Sequence, residues 1–358
     1  MTMDDLRAIA RLDSENMLRR IEELPGQCLA AWKQAQGLTL PLDYGSVDHL
    51  VIVGMGGSAI GGALLEGLVV GECEVPITVI RGYDLPAFAR RPGVLVVACS
   101  YSGNTEETLS CLKQALDGSA LAMAITTGGK LAALARNAGV PVVQFGYEAQ
   151  PRAALGYSFL LLLGVVFRLG FVPDYTKDLA EAARVMNDWE AEIAPRVPTV
   201  KNPAKKLANR IAGSLPVTYG ARFLAAVANR WKTQFNENAK HWAFFDVLPE
   251  LNHNSVVGFS IPELVRDHSI VLMLRSHLDS RPVQERWAVT RELLDHEGVA
   301  VREVYGRGKS ALAQVLSLVH FGDYVSFYLA MLNEVDPTPV ETIAFLKQRL
   351  AELGKASE

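Results

Sequence analysis

Gly54-Met55-Gly56-Gly57-Ser58-Ala59-Ile60-Gly61-Gly62, behind the apolar run Leu50-Val51-Ile52-Val53, is the stretch on which the reading of this chain turns. A second stretch repeats its logic: Ser100-Tyr101-Ser102-Gly103-Asn104-Thr105, behind Val94-Leu95-Val96-Val97-Ala98-Cys99. Each is a short apolar run ending in glycines and hydroxyls, the pattern of a buried parallel strand feeding the start of a helix. A helix start leaves backbone N–H groups without intrahelical acceptors, so an anion is well held there. Two such loops, one βα unit apart, predict a pocket for a small phosphorylated molecule.

Outward from these loops, strands are expected at 49–54, 76–80, 94–99, 120–126 and 140–144, with helical stretches between them. That alternation predicts a doubly wound parallel sheet covered on both faces. Residues 1–40 carry apolar positions at helical spacing (Leu6, Ile9, Leu12, then Met17, Ile21, Leu24) and read as a helical arm. A long apolar helix is expected over 152–171, then a charged helical connector to about residue 203, punctuated by Pro195, Pro198 and Pro203. The second half starts the pattern again. Leu215–Ala221 reads as a strand entering a helix that runs to about Lys240, with further strands at 269–274 and 299–304 and a helix from Pro282 to His296. Long helices at 309–334 and 340–353 close the chain. The fold class is α/β, with two tandem domains over 41–152 and 204–335, a connector over 153–203 and a terminal helix over 336–358.

A chain of 358 residues has room for two such units. Its formal net charge of −4 supplies no broad basic field, which speaks against nucleic acid as a partner. Four cysteines (Cys28, Cys73, Cys99, Cys111) show no paired metal spacing and read as reduced thiols of a cytoplasmic protein. Met1–Asp5 is acidic and lacks the order of a signal peptide; Phe159–Val172, interrupted by Arg168, is the nearest approach to a membrane span. A soluble protein with no membrane partner is expected.

In the first loop the glycines let the backbone approach a ligand, and Ser58, beside Gly57, lies at the helix start. Gly54, Gly56 and Ala59 also satisfy the dinucleotide fingerprint, with Asp84 as its ribose acid, so a nicotinamide enzyme is one rival. The second loop favours phosphate: helix capping accounts for one hydroxyl, not for Ser100, Ser102 and Thr105 together.

The segments GMGGSAIGG, SYSGNTEET, PRAALGY, NENAKHW, ELNHN and the closing helix with FLK, in that order, resemble the bifunctional phosphoglucose/phosphomannose isomerases, proteins with two sugar isomerase (SIS) domains of flavodoxin-like form. The resemblance implies an aldose–ketose isomerase acting on glucose 6-phosphate, and on mannose 6-phosphate, to give fructose 6-phosphate. Such chemistry moves a proton between C1 and C2 through a cis-enediolate, with no metal or other cofactor. Ser58, Ser100, Ser102 and Thr105 would hold the phosphate, and Glu237 would be the base. His253 would open the ring, supplied in that family by the neighbouring subunit of a homodimer. Arg152 would stabilise the enediolate, and Lys347 would assist ring opening. The family ties mannose use to a threonine before that lysine, and Thr338 and Thr342 both qualify. Glycolysis and mannose activation are equally compatible with that reaction. Isomerases of other sugar phosphates commonly have a single domain. A non-catalytic sugar-phosphate sensor would keep the hydroxyl loops and need neither Glu237 nor His253.

Overall fold

The computed structural model describes residues 3–355. Three helices open it: α1 (Leu6–Leu12), α2 (Met17–Glu22) and α3 (Leu24–Gln36). There follow β1 (His49–Val53), α4 (Gly56–Val69), β2 (Ile77–Ile80), β3 (Val94–Ser100), α5 (Glu106–Asp117), β4 (Leu121–Thr126), α6 (Gly129–Asn137) and β5 (Val142–Gln144). Helices α7 (Leu155–Arg168), α8 (Thr176–Ile193) and α9 (Pro203–Ile211) lead to the second sheet. That sheet is built from β6 (Leu215–Ala221), α10 (Ala225–Ala239), β7 (Phe244–Leu248), α11 (Glu263–Asp267), β8 (Ser269–Arg275), α12 (Arg281–His296) and β9 (Ala300–Tyr305). Helices α13 (Ala311–Leu332) and α14 (Glu341–Lys355) complete the described chain.

Both sheets are wholly parallel. The first runs β2-β1-β3-β4-β5, the flavodoxin-like order, and the second runs β7-β6-β8-β9, the same order without a fifth strand. Successive side chains of a strand point to opposite faces, and here each face has its own core. Leu50, Ile52, Leu95 and Val97 join the large core shared with α3, α4, α7 and α13, whereas Val51, Val53, Val94 and Val96 pack under α5 and α6. In the second sheet Ile270, Leu272 and Leu274 enter that same large core, and Val271 and Met273 pack against Trp287 and Leu294 of α12. One apolar layer therefore fastens the two sheets to each other.

Two sequence readings change. Strand β7 occupies 244–248, where no strand was expected; its first residues are exposed at the sheet edge, so no buried apolar run announces it. Helix α13, not the 159–172 stretch, is long and apolar enough to cross a bilayer by length and composition. It is buried almost throughout inside the protein, which is why it can be apolar on all sides.

Candidate active site

The hydroxyl loops meet where β1 and β3 lie side by side and the strand order reverses, the place where connections leave for opposite faces and a crevice opens. Ser58 is buried in the first turn of α4, and its Oγ accepts the Tyr101 backbone N–H at 3.3 Å, tying one loop to the other. Ser100 Oγ lies 2.9 Å from Thr105 Oγ1 and accepts the Gly103 N–H at 3.1 Å. Ser102 is exposed, its Oγ accepting the Asn104 N–H at 3.2 Å. Thr105 stands at the cap position of α5 without capping it. Gly103 adopts φ +66°, and a Cβ there would meet the Gly128 carbonyl oxygen at 1.9 Å, so the loop is seated directly on the β4–α6 connection.

The same approach brings in the next segment. A Cβ on Gly57 would stand 2.7 Å from the Pro151 carbonyl oxygen, so α4 begins against the short 3-10 turn Pro151–Ala153 that carries Arg152. Arg152 is 3% exposed. Its Nε donates to Asn238 Oδ1 at 2.7 Å, and its Nη2 donates to the carbonyls of Pro337 and Thr338 at 2.8 and 2.7 Å. The remaining arm, Nη1, reaches Glu237 Oε2 at 3.4 Å. Burial pulls the Arg152 pKa down from its usual value and the Glu237 charge opposes this; an arginine remains a cation at neutral pH.

Behind Arg152 lies a second buried ion pair. Arg230 donates to the Arg152 carbonyl at 2.8 Å and to Asp323 at 3.0 Å, and Gln234 donates to Asp323 at 2.8 Å. Asn238 Nδ2 donates to Ser326 Oγ at 3.0 Å, so α13 fixes the amide that fixes Arg152. The amides flanking Glu237 thus divide their work: Asn238 orients Arg152, while Asn236 Oδ1 is buried without a partner among the described residues.

Glu237 opens onto a cavity of about 670 Å³ between the end of α10 and the α13–α14 connection, which Lys240, His241, Asp336 and Thr342 also line. Thr338 is buried, its carbonyl on Arg152 and its hydroxyl unpartnered among the described residues, so both threonines adjoin the Arg152–Glu237 pair by different routes. Lys347 and His253 are exposed, Lys347 on α14 and His253 in a 3-10 turn after β7. Neither lines the Glu237 cavity. Lys240, three residues beyond Glu237 in the NENAKHW segment, escaped the sequence reading although it lines this cavity. A larger cavity, about 1050 Å³, lies between α9 and β9, away from the hydroxyl loops and the Arg152–Glu237 pair. Among the described residues no cluster of three His, Cys, Asp or Glu side chains could hold a metal.

The fold places the chain among the proteins with SIS domains: residues 200–350 match the family model for the bacterial phospho-glucose isomerase C-terminal SIS domain. A hypothetical protein of Thermus thermophilus has the same fold, with a TM-score of 0.74 over 97% of this chain and 93% of that one at 18% identity. At the sequence level the chain is 40% identical to a bifunctional phosphoglucose/phosphomannose isomerase of Caldicellulosiruptor bescii, over 94% of this chain and 99% of the relative. It belongs to the bifunctional phosphoglucose/phosphomannose isomerase family. A D-glucosamine-6-phosphate 4-epimerase of Sulfolobus acidocaldarius is also similar, 32% identical over 64% of this chain and 71% of the relative.

Proposed function

We propose that this protein interconverts glucose 6-phosphate and mannose 6-phosphate with fructose 6-phosphate by proton transfer through a cis-enediolate. The observation that carries the reading is a carboxylate, Glu237, that lines a cavity of about 670 Å³ and lies 3.4 Å from the buried guanidinium of Arg152. Glu237 takes the proton from C2 of the open aldose, the C–H pair forms the C1=C2 bond, and the carbonyl pair moves onto O1; the 2-hydroxyl proton passes to O1, and return of the first proton to C1 leaves the carbonyl at C2. Arg152 Nη1, the arm not committed to amide or backbone oxygens, donates to that oxygen as charge develops there. Ser58, Ser100, Ser102 and Thr105 hold the phosphate with the N–H groups that begin α4 and α5, so the dianion anchors the sugar. Thr338 and Thr342 both remain candidates for admitting the mannose epimer.

Ring opening falls to His253, which reaches the cavity as His253 of the partner subunit in a homodimer, with Lys347 assisting. Its exposure supports this, as does the apolar surface near it, where Val257, Ile261 and Leu264 are exposed. The apolar side chains Phe345, Leu346 and Leu350 beside Lys347 on α14 are equally uncovered. The cytoplasm suits the reduced state of Cys28, Cys99 and Cys111, which are free and buried.

The test is a coupled assay on the purified protein with fructose 6-phosphate and a chelator, reading glucose 6-phosphate and mannose 6-phosphate separately. Formation of both is the expected result. Glucose 6-phosphate alone removes the epimer claim. The similarity to a D-glucosamine-6-phosphate 4-epimerase supports a second reading, chemistry on an amino sugar phosphate. Turnover of glucosamine 6-phosphate without turnover of fructose 6-phosphate would install that reading instead.

A further inference from the structure

Lys240 ends α10 in a left-handed conformation, φ +49°, which side-chain-bearing residues adopt only where the surroundings hold them. The backbone closes that turn, the His241 N–H donating to the Phe235 carbonyl at 3.0 Å, and the Lys240 side chain folds back over the helix end. An ammonium has three donors, and here all three are directed at backbone carbonyls: Asp336 at 2.6 Å, Glu237 at 3.0 Å and Asn238 at 3.4 Å. Asp336, Pro337 and Thr338 are consecutive, and their carbonyls are divided between two cations. Asp336 goes to Lys240, and Pro337 and Thr338 go to Arg152. Both cations also touch Glu237, Lys240 at its backbone carbonyl and Arg152 at its carboxylate. The result is a closed ring: the end of α10, Lys240, the 336–338 segment, Arg152, and back to Glu237.

We infer that Lys240 is a positioning residue for the isomerisation, holding the 336–338 segment against the end of α10 so that Arg152 and Glu237 keep their mutual geometry. The inference rests on the reading of Arg152 and Glu237 given above. Other ties on the segment do not replace this one. The Ser14 hydroxyl donates to the Asp336 carboxylate, and the Thr338 N–H donates to Asp336 Oδ1 at 2.9 Å, but both act on the Asp336 side chain and neither reaches α10. Without Lys240 the hold on these three carbonyls passes to Arg152, whose Nη2 grips two of them and leaves the Asp336 carbonyl without its tie to α10.

The charged groups facing the ammonium are Arg152 from the turn before α7, Glu237 on its own helix, Asp336 from the segment it holds and Glu341 from α14. Burial and the Arg152 charge pull the Lys240 pKa down to about 8, the carboxylates opposing. His241, next in sequence, is bound elsewhere, to the Ser214 carbonyl and Asn333. Loss of the proton leaves an amine with two donors for three carbonyls, so the ring loosens as pH rises through this range.

The experiment compares Lys240→Met and Lys240→Arg with the parent protein for kcat and KM with fructose 6-phosphate over pH 6.5 to 10, with a thermal melt of each. The parent is assayed first; if it turns over no fructose 6-phosphate, the reading of the site fails and the Lys240 inference is not what has failed. With an active parent, Lys240→Met is expected to lower kcat about 30-fold while KM stays within about twofold, because the phosphate grip lies on the other sheet. Lys240→Arg, charged throughout, is expected to recover most of kcat and to lack the alkaline fall that the parent shows above about pH 8. A folded Lys240→Met enzyme with parental kcat overturns the inference. So does a change confined to KM, or an alkaline limb that is the same in the parent and Lys240→Arg.

Discussion

The two sheets share a strand order and part company in what their first loops do. After β1 the chain enters α4 through glycines, and Ser58 ties the loop to Tyr101 with a hydroxyl while no side chain caps the helix start. After β6 the equivalent loop folds into a 3-10 turn, Arg222–Leu224, that fills the space before α10 with the chain's own residues. There the tie to the neighbouring loop is a side-chain cation: Arg222 Nη1 donates to the Leu278 carbonyl at 2.8 Å. On the function proposed above, the first unit would offer a helix beginning as the grip, and the second a helix end, α10, as the support for the carboxylate.

Removing the carboxylate tests this division most severely. Glu237→Gln keeps the shape and deletes the proposed base, so kcat is expected to fall by about 10³-fold, within the range that a positioned general base contributes. Binding of the sugar phosphate, followed by titration calorimetry, should persist, because the hydroxyl loops are untouched. A variant that loses binding along with turnover would mean that the grip and the chemistry are not divided between the sheets.

The next largest effect concerns the layer that joins them. His320 lies on α13 inside the shared core, with Nε2 3.1 Å from the Ile21 carbonyl and Nδ1 unpartnered among the described residues. Burial lowers its pKa from 6.5 to about 4. The folded protein thus keeps this ring neutral where the unfolded chain would protonate it, so stability from this group is full above pH 6.5 and falls as pH drops toward 4. At about 1.4 kcal/mol for each unit of difference, the loss is about 3 kcal/mol. Denaturant titrations at pH 7 and pH 4.5 should show His320→Leu losing less stability on acidification than the parent, by about 2.5 kcal/mol, since at pH 4.5 the difference is not yet fully expressed. Both sheets should unfold in one transition; two transitions would show that the common core does not couple them.

Much of this arrangement was legible in the sequence where physics acts locally. The five strands of the first sheet read as apolar runs, most continuous in β1 and β3, where burial is complete or nearly so, and the loops after those two carry glycine and hydroxyls in order. The second sheet was legible at β6, β8 and the half-exposed β9, and was lost at β7, a five-residue edge strand whose first residues are exposed. Glu237 and Arg152, 85 positions apart in the chain, were nominated through the family resemblance, and only folding brings them to 3.4 Å. Lys240 left no trace because its partners are backbone carbonyls, which any sequence supplies. Asn238 was visible as a neighbour of Glu237, yet its actual partner, Arg152, is a matter of tertiary geometry.

A smaller effect is expected at the grip itself. Ser100→Ala removes a hydroxyl that pairs with Thr105 in the loop proposed to hold the phosphate. One hydrogen bond to a charged group is worth about 1.5 kcal/mol, so KM for fructose 6-phosphate should rise about tenfold with kcat nearly unchanged. A kcat effect as large as the KM effect would bring this loop into the chemistry.

The smallest effect is expected at the matching position of the second sheet, and it is the sharpest check on the comparison. Arg222 has φ +51°, a conformation that disfavours any residue with a Cβ by about 1 kcal/mol. Arg222→Gly relieves that strain, and it loses the bond to the Leu278 carbonyl, itself worth about 1 kcal/mol in a solvent-accessible setting. The two terms oppose each other, so the melting temperature should move little, and kcat and KM should stay within about twofold of the parent. If the second loop had kept an anion-binding role, Arg222 would be the cation for it and KM would rise as steeply as it does for Ser100→Ala. A flat response at Arg222 beside a tenfold response at Ser100 would place the phosphate grip on one sheet alone, and equal responses would return it to both.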